Sequence, residues 1–267
     1  MVQHKLINKV LREPWAIKPS LHDSLIESLE ASIDGQALDP ELLDDDEIEL
    51  KEGTTAIVPI FGTLSKHCSL YEILQGYADF DAIGLALDAA VYDDTVDSIV
   101  LYFNSGGGTC QGTPELADKV REASKVKPVI SYTDGMMCSA AYWIGSQANA
   151  IYCSPSSELG SIGVRISLVE ESERLAKKGI KVNSIAAGKY KLAGNSWSPL
   201  DDESRKLFED EIQYWYGMFT GSVLTTRKLS VDTMQGQSFV GMKSVEAGLS
   251  DGVIDSLDEL LTMTNDL

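Results

Sequence analysis

Ser139 stands in a run of small and aromatic residues, Cys138-Ser139-Ala140-Ala141-Tyr142-Trp143, just after a β-rich segment and Asp134-Gly135. In the first turn of a helix a serine hydroxyl lies among N–H groups that have no partner within the helix, and small neighbours let a reacting group approach. Such a serine caps its helix unless a base is at hand to make it a nucleophile. The chain has three histidines, His4, His22 and His67. A Ser-His-Asp triad or a histidine metal site is therefore hard to assemble, and the search for a base turns to lysine. A lysine in water holds its proton up to pH ~10.4 and accepts one near neutrality only where burial disfavours its charge. The window Ala186-Ala187-Gly188-Lys189-Tyr190-Lys191-Leu192-Ala193-Gly194 contains no carboxylate. Lys189 and Lys191 are both candidates, and spacing alone does not separate them; on an ordinary loop both would be solvated.

Two glycine-rich turns could complete a site. Asn104-Ser105-Gly106-Gly107-Gly108 follows the segment 98–103 and precedes a helix opening near Gly112-Thr113-Pro114. Glycines let the backbone turn sharply and bring N–H groups against a bound atom, so the segment is either a tight strand-to-helix turn or an oxyanion hole. A phosphate loop is excluded, since neither GxxxxGK[ST] nor GxGxxG is present. Ser157-Glu158-Leu159-Gly160-Ser161-Ile162-Gly163-Val164 is a second Gly-framed turn, in which Ser161 could simply satisfy local backbone groups. Cys138 is a rival nucleophile, with His67 its nearest candidate base in the sequence. The four cysteines form no CxxC pair and read as reduced thiols, and no metal or cofactor is expected.

The elements that must hold these residues alternate. Ala56–Ile60, Ser98–Phe103, Pro128–Tyr132 and Ala150–Cys153 are short β-rich runs, separated by helical periodicity over about 71–92, 112–125 and 139–148. Such alternation predicts an α/β fold built from βαβ units around a parallel sheet. Residues 1–53 form an N-terminal extension, with a short helix over Leu21, Leu25, Ile26 and Leu29 and an acidic linker over 39–53. The domain proper runs over 54–267. Near its end, Ser198-Pro199 is expected to cap a long amphipathic helix, in which Phe208, Ile212, Trp215, Phe219 and Val223 form a stripe down to about Arg227. That stripe suits a core or a subunit interface.

Charge narrows the partners. The 267 residues hold 22 basic and 41 acidic side chains, a net charge of −19, and residues 1–50 alone carry 12 acidic against 4 basic. A surface this negative repels phosphate backbones and anionic lipid, so no nucleic acid and no polybasic membrane contact is expected. No run reaches the roughly 20 apolar residues of a membrane span, and the first residues lack the apolar core of a signal peptide.

Taken together the segments resemble the signal peptide peptidase A (SppA) family of Ser-Lys proteases, over about Thr54 to Leu260. The NSPGG-like turn of that family reads Asn104-Ser105-Gly106-Gly107-Gly108 here, with Gly106 in place of proline; its GSIGV turn is Gly160–Val164; its nucleophile segment matches Cys138–Trp143; and its lysine, after G-x-Tyr, is Lys191 rather than Lys189. The resemblance implies a ClpP/crotonase-like fold and a role for each matching residue. Ser139 would attack the scissile carbonyl, Lys191 would take its proton, Ser161 would orient Lys191, and the amides of Gly108 and Ala140 would hold the oxyanion, with Gly107 shaping the loop. A narrower resemblance, over Asn8–Pro19, Ser198–Leu200, Phe219–Arg227 and Gly248–Gly252, is to the capsid assembly proteases of lambda-type phages. It implies a prohead protease acting on scaffold, portal or coat proteins in a procapsid or host cytoplasm, working as a homo-oligomer without a membrane anchor. Relatives of that kind commonly continue into a scaffolding region, which would here be either a separate product or a region outside this sequence. Three alternatives remain: a bacterial cytosolic or envelope peptidase that degrades signal-peptide remnants, an assembly or scaffolding factor with little activity, and an acyl-CoA enzyme of the crotonase type.

Overall fold

A computed structural model describes residues 15–18, 51–69, 72–73 and 75–265. Along the chain these form β1 (Trp15–Ile17), β2 (Lys51–Glu52), β3 (Thr55–Phe61), β4 (Thr63–Ser65), β5 (Tyr77–Asp79) and α1 (Phe80–Tyr92). Next come β6 (Ser98–Ser105), β7 (Gly107–Thr109), α2 (Thr113–Ala123), β8 (Val129–Cys138), α3 (Ala140–Gly145), β9 (Ala150–Cys153) and β10 (Glu158–Gly160). The chain ends in α4 (Ser172–Lys177), α5 (Asp202–Leu224), β11 (Ser238–Val240), α6 (Met242–Glu246), β12 (Gly252–Val253) and α7 (Leu257–Asn265).

Strands β3, β6, β8 and β9 pair in parallel, each reached from the last through a helix or turn, which is the βαβ arrangement expected from the alternation. The main sheet runs β11-β10-β8-β6-β3-β2, with β9 and β12 joined at β8. Period-two alternation divides its side chains between two faces. Ala56, Val58, Ile60, Ile99, Leu101 and Phe103 point into one core with α1, α2, α3 and the end of α5. Ile57, Val100, Ile130 and Tyr132 point the other way, onto Leu260 and Leu261 of α7. Burial on both faces explains why these strands read as continuous apolar runs. A smaller sheet, in the order β1-β7-β4-β5, stands beside the carboxyl end of β6.

Several boundaries differ from expectation for local reasons. The helix expected over 71–92 is interrupted: residues 72–73 are helical, Gly76 at φ 78° and β5 follow, and α1 begins at Phe80, where the Asp79 carboxylate caps by accepting from the Asp81 N–H at 2.7 Å. The helix expected over 112–125 begins after Gly112, at φ 93°, and ends at Ala123, while that expected over 139–148 is the single short α3. The strand foreseen as 128–132 continues to Cys138 and so delivers Ser139 at its tip. Asp201, not Ser198, caps the long helix, accepting from the Ser204 N–H at 2.7 Å. The expected helix over 21–29 and acidic segment over 39–50 lie outside the described residues. Trp15–Lys18 and Lys51–Gly53 do not behave as an extension: fully buried Trp15 and strand β2 belong to the same folded body as residues 54–265.

The aromatic stripe of α5 divides along its length. Phe219 and Val223 are buried, Trp215 packs at the edge of the core, and the first half of the helix stays largely exposed. Phe219 stacks on Trp143 of α3, with ring centroids 4.6 Å apart and planes 8° from parallel. Just past the helix, Arg227 clamps both carboxylate oxygens of Asp251 at 2.8 and 2.7 Å, and Asp251 accepts from the Ile151 N–H. The end of α5 is thus fixed to the sheet and to the helix that follows Ser139. Phe219→Ala should lower unfolding free energy by about 3–5 kcal/mol in a urea titration, because a buried aromatic leaves a cavity that its neighbours fill only in part.

Candidate active site

Ser139 sits where β8 passes into α3, and the chain turns there without glycine, at φ 55° and ψ −119°. A non-glycine residue in that region is strained and persists only when its surroundings hold it. The surroundings do so: the Ser139 N–H donates to the Gly160 carbonyl at 2.7 Å, and its own carbonyl accepts from Trp143 at 2.9 Å. Ser139 is fully buried, and its hydroxyl makes no capping bond to α3. Among the described residues it reaches only the Gly163 carbonyl, at 3.5 Å. The hydroxyl is thus aimed away from its helix and weakly held.

Beside it passes the turn 105–108. The Gly107 N–H donates to the Ser105 hydroxyl at 3.1 Å, and that hydroxyl donates to the Gly62 carbonyl at 2.6 Å, so Gly107 is engaged in holding the turn. Gly107 has φ 104°, and a Cβ there would lie 2.9 Å from both the Ala140 nitrogen and the Ser139 Cβ. At Gly108 a Cβ would lie 1.8 Å from the Leu64 carbonyl oxygen. Only glycine allows this double approach. Gly107 is therefore brought against Ser139 and Ala140, with Gly108 next to it in β7 packed on Leu64.

Along the edge of β7 opposite β4 runs β1, in the antiparallel register Trp15↔Thr109, Ala16↔Gly108 and Ile17↔Gly107. Trp15 also exchanges two bonds with Arg165, its N–H donating at 2.9 Å and its carbonyl accepting at 3.0 Å. Residues 15–18 are thus threaded between β7 and the segment after the Gly160–Val164 turn. The Lys18 N–H donates to the Gly106 carbonyl at 2.7 Å, and its ammonium pairs with Glu158. Burial pushes the Glu158 carboxyl up, but hydrogen bonds from Lys18 and Ser238 outweigh it and hold the group below its ordinary range. A lowered carboxyl contributes its pairing fully above its ordinary pKa and loses it as pH falls through the folded value, so the contact is intact at neutral pH. Sequence reasoning did not foresee this strand at the site. The available signal was the uncharged Trp15-Ala16-Ile17 lying between prolines in an otherwise charged extension.

Of the remaining expected residues, Ser161 lies in the 160–163 turn whose Gly160 and Gly163 carbonyls accept from Ser139, whereas no described hydrogen bond brings Lys191 to the site. Lys191 is exposed on a turn, where its N–H donates to Gly188 at 3.2 Å, and none of the described hydrogen bonds joins it to Ser139 or Ser161. Ser161 is buried at φ 52°, its N–H donating to the Gln237 carbonyl at 2.8 Å, and none of the described hydrogen bonds joins its hydroxyl to Lys191. Lys189 is distinguished from Lys191 by its surroundings. It pairs with Glu203 of α5 and lies 5.2 Å from the Tyr190 ring centroid, and the Glu203 hydrogen bond raises its pKa. The acid-free sequence window is therefore not acid-free in space for Lys189. Cys138 is removed as a nucleophile: burial, then Glu158, pushes its thiol up to about 12, and the sulfur lies 3.4 Å from the Glu158 carbonyl. His67 is engaged elsewhere, 2.7 Å from Asp81.

Residues 121–266 match the family model described as peptidase family S49, a span of more than half the chain. The chain belongs to peptidase family S49. Ser139, Ala140, Ser161 and Lys191 fall inside the S49 span, whereas β1, Gly107 and Gly108 precede it. Among relatives, the chain is 31% identical over 215 residues to the head-tail preconnector protein GP5 of Enterobacteria phage P21, covering 79% of this chain and 43% of that protein. It is 28% identical over 215 residues to the capsid assembly protease C of Escherichia phage lambda, covering 79% and 49% respectively. Protease 4 of Haemophilus influenzae is 29% identical over 204 residues, 74% of this chain and 32% of that protein. The chain spans about half the length, or less, of these relatives. Among solved structures, the membrane-bound stomatin-specific protease 1510-N aligns with a TM-score of 0.43 at 15% identity, over 82% of this chain and 87% of that one. Among the described residues of this S49 chain, no helix is long and apolar enough to cross a membrane.

Two outcomes follow from the geometry. Gly107→Ala should reduce any Ser139-dependent turnover by at least about 100-fold, the scale of losing one oxyanion donor, because the methyl would push β7 off Ala140. Cys138 should resist iodoacetamide at pH 8 in the native protein and react once the protein is unfolded in urea, read by peptide mass spectrometry.

Proposed function

We propose that this S49 chain is a serine endopeptidase working through Ser139 and Lys191, and that its substrates are proteins of phage capsid assembly. The observation that carries the reading is the strained, uncapped Ser139 hydroxyl beside the Gly107–Gly108 backbone and the first amide of α3. Ser139 Oγ attacks the scissile carbonyl carbon while Lys191 accepts the hydroxyl proton. The developing oxyanion lies toward the amides of Gly108 and Ala140, which need no reorganisation as charge forms. Collapse of the tetrahedral intermediate breaks the C–N bond, the amine leaves with the proton, and water then releases the acyl group by the same path in reverse.

In this reading Lys191 reaches Ser139 from a second copy of the chain. Supporting it are the exposure of Lys191 on its turn, the complete burial of Ser139, and the exposed first half of α5 next to the lysine segment. A homo-oligomer then makes the site as well as restricting access to it. The capsid substrates, and a procapsid or host-cytoplasm location, rest on the two phage relatives named for head assembly.

Ser139→Ala and Lys191→Ala should each lower cleavage of co-encoded scaffold and portal proteins by about 1,000-fold or more, read by intact-protein mass spectrometry. Mixing the two inactive chains should restore cleavage, because a mixed pair holds one site with both residues intact. Mixtures that stay inactive while both chains remain folded and associated would place the dyad within one chain. Normal turnover by either single variant would remove the proposed mechanism.

A further inference from the structure

The segment Trp15–Lys18 lies in the site as an extended peptide would. It is bonded on both sides, to β7 and to Arg165, and it arrives antiparallel to β7. The amide and carbonyl of Trp15 are taken by Arg165, and the Lys18 N–H by Gly106. Because successive peptide groups of a strand face opposite sides, the carbonyl of Ala16 faces β7, opposite Gly108 in the register. A Cβ built on Gly107 would meet the Ala16 carbonyl oxygen at 2.2 Å, and the Ala140 nitrogen and Ser139 Cβ at 2.9 Å each. One point is therefore surrounded by a peptide carbonyl, the first amide of α3 and the carbon bearing the nucleophile. Ala16 is fully buried there, and its methyl is a small group that such a confined position accepts. One residue past the next bond, Lys18 is fixed by its ion pair with Glu158, which is itself held by Ser238.

We propose that the chain is its own first substrate: residues 15–18 occupy the peptide-binding groove, and Ser139 cleaves the Ala16–Ile17 bond. This rests on the Ser-Lys reading above. Ser139 Oγ forms a bond to the Ala16 carbonyl carbon and its proton passes to Lys191. The Ala16–Ile17 C–N bond then breaks as the Ile17 nitrogen takes that proton. A water molecule hydrolyses the resulting ester, giving a fragment ending in the Ala16 carboxylate and a chain beginning with the Ile17 amine. Until the cut, the segment excludes other substrates from the groove; after it, residues 1–16 can leave and Ile17–Lys18 are held by the Lys18 contacts alone. Burial of Trp15 makes departure slow, so release of residues 1–16 is expected to lag behind the cut.

The test follows the purified full chain over hours at pH 8 by intact mass and N-terminal sequencing, beside Ser139→Ala, Lys18→Glu, and Lys18→Glu combined with Glu158→Lys. The wild type should lose residues 1–16 and begin at Ile17, and Ser139→Ala should stay whole. Lys18→Glu, facing Glu158 with like charge, should cut itself several-fold more slowly, and the charge-swapped pair should recover. Against casein, Lys18→Glu should start about tenfold faster than uncut wild type, since an intramolecular occupant acts at an effective concentration near millimolar. If Lys18→Glu digests casein while the wild type keeps its Ala16–Ile17 bond, self-cleavage is overturned and the protease reading stands. If the cut falls at another bond, the register is wrong. If neither chain digests casein or itself, the protease reading fails and this proposal with it.

Discussion

No side chain fits where β7 passes the start of α3, and the rest of the site is arranged around that close approach. Gly107 and Gly108 lie between the Leu64 carbonyl, the Ala16 carbonyl and the Ser139–Ala140 backbone, at separations that a methyl group on either glycine would violate. The contact requires β6 and β8 to end side by side, since β7 is the continuation of one and Ser139 the tip of the other. Parallel pairing achieves this by aligning the carboxyl ends of neighbouring strands, which is where α/β sheets place ligands. The strain at Ser139 is sustained by the Gly160 carbonyl, so β10 belongs to the same construction. A buried two-faced core beneath these strand ends gives the turns a rigid base.

Much of this was legible in the sequence, and the limits have physical causes. The runs around Ala56–Ile60, Ser98–Phe103 and Ala150–Cys153 became strands within a residue or two, because burial on both faces leaves a continuous apolar signal. Gly107 lies against Ser139 and Ala140, at an approach that a side chain on the glycine would block, and a glycine-rich turn is a signal the sequence carries. Strands of three residues such as β4, β5, β7 and β10 carry no periodicity and were missed. Strand β1 was missed for a further reason: its pairing with β7 and Arg165 is long-range and involves mostly backbone groups, which a side-chain pattern does not record. The cap of α5 moved from Ser198 to Asp201 because a carboxylate three residues before the Ser204 amide can satisfy it directly.

The two lysines illustrate what spacing cannot decide. Lys189 and Lys191 are two residues apart in a window without acid, yet folding sets Glu203 beside the first. A lysine paired with a carboxylate holds its proton more firmly, which unsuits it for the role of base. Resemblance selected Lys191 by position, and the electrostatics of the folded chain independently count against its neighbour. The chain's net negative charge thus matters locally: what distinguishes the candidates is which of them has a carboxylate within reach.

The separation of Ser139 from Lys191 and the threading of β1 bear on each other. On the proposed mechanism, a nucleophile buried beside β1 with its base exposed on a separate turn would be a site closed in two respects, by occupancy and by incompleteness. If association supplies the lysine, the first peptide it meets is the one already seated, whose Ala16 carbonyl lies against Gly108 by register rather than by collision. Assembly would then precede cleavage, and cleavage would precede access for other proteins. Such an order needs no separate inhibitor and no large rearrangement of the sheet. It needs only that the groove bind an extended backbone well, which the same hydrogen bonds that hold β1 already provide.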